Sequence, residues 1–88
     1  MPEAYIVDAA RTAVGRRGGG FADSHPADMA AHVIKTVTGR HDFDPADIDD
    51  VILGCLDNIG SQAGDIARTS ALAAGLPESV PGVTIDRQ

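Results

Sequence analysis

Tryptophan is absent, and the aromatic side chains are two Phe and one Tyr among 88 residues. Aromatics are the largest anchors of small cores, burying about 150–250 Å² each. Without them the apolar content, 43%, falls largely to small side chains, fourteen of them alanine. A chain this short buries only about 60–65% of its unfolded surface. Such a composition fits a section of a larger layered protein better than a free-standing domain.

Cysteine occurs once, at Cys55, which excludes an intrachain disulfide. A lone thiol fits a reducing compartment. Basic residues are scarce: seven Lys and Arg stand against thirteen acids, for a net charge of −6. Apart from Arg16–Arg17 they are scattered, whereas a nucleic-acid binder needs a clustered basic face. No apolar run approaches the ~20 residues of a membrane span. The opening "MPEAYIVD" has neither the basic start nor the long apolar core of a secretion signal. These features lead us to expect a cytoplasmic protein with no nucleic-acid or membrane partner.

What is present alternates between strand and helix signals. "AYIVDAA" (Ala4 to Ala10) is a short run with β-branched Ile6 and Val7, the length of a buried strand. Four glycines within Gly15–Gly20 then enforce a loop. In "HPADMAAHVIKTVTGR", Ser24 or His25 can cap, Pro26 suits the first helical position and Asp28 the first turn. Met29, Val33 and Val37, with Ile34, mark its apolar face, and Gly39 can end the helix in a left-handed conformation. Asp44, Pro45 and Asp47 repeat the start signal. "VILGCL" is apolar throughout, as in a strand covered on both faces. "DIARTSALAAG" reads as a small-residue helix closed by Gly75, and Gly82 to Gln88 as a third strand. The predicted order is β-α-β-α-β, an α/β class with right-handed crossovers.

"GRRGGG" lacks the Lys and Ser/Thr of a phosphate loop and the spacing of the dinucleotide fingerprint, so a connecting loop is expected. Cys55, inside an apolar run, reads as a small buried hydrophobe. His25, His32 and His41 lack the i, i+4 spacing of a zinc pair on one helix. Starting at Asp42, a calcium loop would need Gly where Asp47 stands and Glu where Leu53 stands. No self-contained catalytic or metal-binding set lies in the chain.

The ordered stretches "DAARTAVGRRGGGF", "VILGCLDNIGSQAGDIARTSALAAGLP" and "PGVTIDRQ" resemble the N-terminal part of the thiolases, the acyl-CoA:acetyl-CoA C-acyltransferases. The resemblance runs the whole chain and implies that residues 1–88 open the N-terminal domain of a layered α-β-α-β-α fold. It implies thiolytic cleavage of a 3-ketoacyl-CoA by CoA, or the reverse Claisen condensation, and "DRQ" is closer to the degradative 3-ketoacyl-CoA thiolases. The nucleophilic cysteine is then expected directly after Gln88, at a helix N-terminus that stabilises thiolate. The acid–base groups lie further along, so no catalytic residue falls within 1–88. Coenzyme A is implied as a co-substrate, with no permanently bound cofactor. A homodimer or homotetramer is implied, with Gln62, Arg68, Arg87 and Gln88 as interface candidates. The alternative is a non-catalytic, thiolase-like scaffold.

Overall fold

The computed structural model describes residues 2–87; the candidate Gln88 lies outside them. Helix α1 spans Pro26–Gly39, β1 Val51–Gly54, α2 Ile66–Ala73 and β2 Gly82–Ile85. Short 3₁₀ turns at Pro45–Asp47 and Gly60–Gln62 punctuate the connections.

Local chemistry accounts for each boundary. His25 caps α1, its Nδ1 accepting from the Ala27 N–H at 3.1 Å, with Pro26 behind it. Asp44 does the same for its 3₁₀ turn, Oδ1 accepting from Ala46 N–H at 3.0 Å. Asp65 caps α2 through the Arg68 N–H. That helix closes on Gly75, whose φ of 83° is open to glycine at no steric cost. Gly39 behaves otherwise. It stays within α1, and the helix ends on Arg40 in a right-handed conformation. The end is fixed instead by Arg40 and His41, which both turn to Asp8.

β1 and β2 form a two-stranded parallel ladder, Val51 opposite Gly82 and Gly54 opposite Ile85. Helix α2 packs on both strands and α1 packs on α2. The buried helical residues are Ala27 and Ala31 of α1 and Ile66, Ala67, Ser70 and Ala71 of α2. Small side chains on both sides let these backbones approach. The core proper is Ala71, Leu76 and Val80, with Ile34, Ile48 and Val51 against it. The expected α1 face is therefore offset: Met29, Val33 and Val37 are only half-buried.

Two sequence expectations change. Residues 4–10 form no ladder among the described residues. Tyr5, Ile6 and Val7 are instead exposed, and the segment is tied to the end of α1 by Asp8. A strand exists only where its N–H and C=O groups find a neighbour, and β1 and β2 pair with each other. Among the described residues, the sheet is also covered on one face only. Val51, Leu53, Gly82 and Thr84 turn inward, while Ile52, Val83 and Ile85 are 65%, 42% and 48% exposed. The radius of gyration, 13.9 Å, exceeds the ~12 Å of a compact chain of this length.

Candidate functional site at the exit of the second strand

The inward face of β2 meets the first turn of α2 at unusually short range. At Gly82 even one added carbon would sit 2.9 Å from the Arg68 nitrogen and 3.1 Å from the Ala67 carbonyl carbon. Only glycine lets the strand lie this close. Two residues on, the Thr84 hydroxyl enters the same turn. Its Oγ1 donates to Asp65 Oδ1 at 2.6 Å and accepts from the Ala67 N–H at 3.0 Å. Arg68 closes the other side, its Nη1 donating to the Val80 carbonyl at 2.6 Å.

Each bond answers a requirement of the helix end. The first N–H groups of any helix have no partner within it. Asp65 meets one of them and the strand, through Thr84, meets another. An abandoned buried donor costs about 1–3 kcal/mol, so the Thr84 hydroxyl is coupled to the stability of α2 although it belongs to β2. The Ser70 hydroxyl, fully buried in the same helix, has no partner among the described residues.

Beside this clamp lies the end of β1. The Cys55 N–H donates to the Ile85 carbonyl at 2.9 Å, extending the ladder by one bond. Cys55 is half-buried rather than enclosed. Its Sγ lies 3.6 Å from the Asp57 carbonyl, which also accepts from Gln62 Nε2 at 2.7 Å. The expectation of a buried Cys55 is met only in part: it keeps the inward parity of Val51 and Leu53 but follows the last residue of β1, Gly54.

Three of the four interface candidates fall within the described residues. Gln62 turns back to its own loop and Arg68 to β2. Arg87 is exposed beyond the last ladder residue. His25 is a helix cap and His32 is exposed. Among the described residues no three His, Cys, Asp or Glu side chains gather as metal ligands would. The "GRRGGG" loop folds on itself, Gly19 N–H donating to Arg16 C=O at 2.9 Å.

Sequence reasoning missed one cluster, Asp8 with Arg40 and His41. His41 Nε2 lies 2.8 Å from Asp8 Oδ2 and Arg40 Nη1 3.2 Å from Oδ1. The hydrogen bond to His41, then the Ala9 N–H and the nearby Arg40 charge, hold the Asp8 carboxyl below its ordinary range. The cluster borders a groove of about 640 Å³ between Tyr5–Asp8, Val37–Thr38, His41 and Phe43. A partner more than thirty positions away leaves no local pattern to read.

Comparison with known proteins adds what this geometry lacks. Residues 4–88 match the thiolase N-terminal domain. The chain is 61% identical over its full length to a steroid 3-ketoacyl-CoA thiolase of Mycobacterium tuberculosis, of which it covers 22%. It is 44% identical over 97% of its length to a beta-ketoadipyl-CoA thiolase of Pseudomonas knackmussii, covering 21% of that protein. A 3-ketoacyl-CoA thiolase of Pseudoalteromonas translucida is 43% identical over 99% of the chain, which covers 23% of it. The chain thus spans about a fifth of the length of the curated relatives it matches.

Proposed function

From a chain that belongs to the thiolase N-terminal domain family, we propose that the complete protein is a thiolase cleaving a 3-ketoacyl-CoA with coenzyme A. One observation carries this reading: the match over residues 4–88, joined to 61% identity with a steroid 3-ketoacyl-CoA thiolase. That relative makes a steroid-derived 3-ketoacyl-CoA the first substrate to try. Coenzyme A enters as co-substrate, and the working protein is a cytoplasmic homodimer or homotetramer. Gln62, Arg68, Arg87 and Gln88 are its interface candidates, and no helix of the described residues is long and apolar enough to cross a membrane.

The nucleophile is a cysteine directly after Gln88, outside this chain. Its thiolate attacks the 3-keto carbonyl. The bond between C2 and C3 breaks, acetyl-CoA leaves once C2 is protonated, and the acyl group stays on sulfur. The thiolate of incoming CoA then attacks this thioester and the cysteine thiolate is released. Residues 1–88 contribute the strand that delivers the nucleophile.

The complete protein should release acetyl-CoA from a 3-ketoacyl-CoA only when CoA is added, with peptide mapping placing the acyl adduct on the residue after Gln88. Absence of CoA-dependent cleavage across short-chain, long-chain and steroid-derived substrates would leave the non-catalytic scaffold. A non-cysteine after Gln88 would remove the mechanism.

A further inference from the structure

We propose that Thr84, held by Asp65 and the Ala67 N–H, is a positioning residue for the reaction: it sets the height and rotation of β2 ahead of the nucleophile. The inference rests on the thiolase reading above and assigns a role to residues within this chain.

Gly82 lies against the Arg68 and Ala67 backbone, and Thr84 Oγ1 bonds both Asp65 and Ala67. Residues i and i+2 of a strand share a face, so both hold the same side of β2 on α2, while the Arg68 bond to the Val80 carbonyl ties down the bend before the strand. Thr84 and Gly82 are thus the two strand positions on this face. Thr84 is the last of them in chain order, closest to Asp86 and Arg87. The side away from α2 carries Val83 and Ile85, both exposed among the described residues. Rotation of β2 about its own axis is resisted on the α2 side by the Thr84 hydroxyl and along its edge by the ladder to β1, where the Cys55 N–H bonds the Ile85 carbonyl.

Capping chemistry separates this from simple stabilisation. Asp65 already serves α2 as an N-cap from within its own segment. A further cap from the same segment would satisfy Ala67 and leave the strand free. The bond comes instead from β2, making the helix end and the strand one unit. Small displacements matter for reacting groups: about 1 Å can cost about a hundredfold in rate.

The experiment uses the complete protein. Thr84→Val keeps the shape and removes the hydroxyl, and Thr84→Ser restores it. Turnover, KM for CoA, melting temperature, and the pH profile of alkylation by iodoacetamide at the residue after Gln88 are compared. Thr84→Val is expected to lower kcat about tenfold with KM for CoA within about threefold, and to move the alkylation profile. Thr84→Ser is expected to recover most of kcat. A Thr84→Val protein with a lowered melting temperature but wild-type kcat and alkylation profile overturns the inference. Should Thr84→Val not fold, Asp65→Asn decides, since a neutral acceptor weakens the Thr84 bond while keeping its shape. It should lower kcat and shift the alkylation profile, and unchanged values overturn the inference. Wild-type protein without thiolysis overturns the function and this inference together, whereas active wild type with unaffected variants overturns the inference alone.

Discussion

Asp8 is where the chain links its irregular start to its first helix. Its carboxyl is held below the ordinary range first by the bond to His41, then by the Ala9 N–H and Arg40. A lowered value in the folded state means stability that is present above the unfolded value, about 3.9. It is lost as pH falls through the folded value. In the complete protein the wild type should therefore lose more melting temperature than Asp8→Asn between about pH 5 and pH 3. Parallel acid limbs would show that the cluster does not act. None of this was legible in sequence, because a charge partner distant along the chain leaves no spacing signal. The caps were legible where neighbours set them: His25, one of the two residues expected to cap α1, with Asp44 and Gly75, occupy their expected roles, and the structure adds Asp65. Gly39 was misread because a distant residue, Asp8, fixes that helix end.

At the scale of elements, the pairing of α2 with β2 depends on volume. Gly82→Ala would drive its new carbon to 2.9 Å from the Arg68 nitrogen, a backbone atom that cannot swing aside. Overpacking of this kind costs about 1–3 kcal/mol. The variant of the complete protein should melt several degrees lower, with the loss partly recovered by no side-chain change elsewhere. An unaltered midpoint would mean that strand and helix are less close in solution. The sequence signalled the small-residue helix and the strand after it, but not that Gly82 is the point of contact. A glycine opening a strand carries no mark of what lies opposite. For "VILGCL" an apolar run reports a preference for burial on both faces, and within the described residues α2 supplies the cover for one of them.

At the scale of the whole molecule, apolar surface is left over. Tyr5, Ile6, Ile52, Ile59 and Val14 are each more than 60% exposed, and a two-stranded sheet has little independent stability. Residues 1–88 made alone should bind a hydrophobic dye and unfold in urea without a cooperative transition; a sharp transition with an ordinary slope for this length would contradict this. The α/β class was legible from alternating strand and helix signals. The absence of a ladder at residues 4–10 was not, because strand propensity says nothing about whether a partner edge exists. The clamp between α2 and β2 also bears on time. Arg68 and Val80 are 12 residues apart and Ala67 and Thr84 17, while the ladder joins Gly54 to Ile85, a separation of 31. Closing a loop of 31 rather than 12 residues costs about 0.8 kcal/mol more, about fourfold in probability. The contacts are nested, so each closure shortens the next search. Closure entropy alone therefore favours the contact of Arg68 with Val80 first and the sheet last.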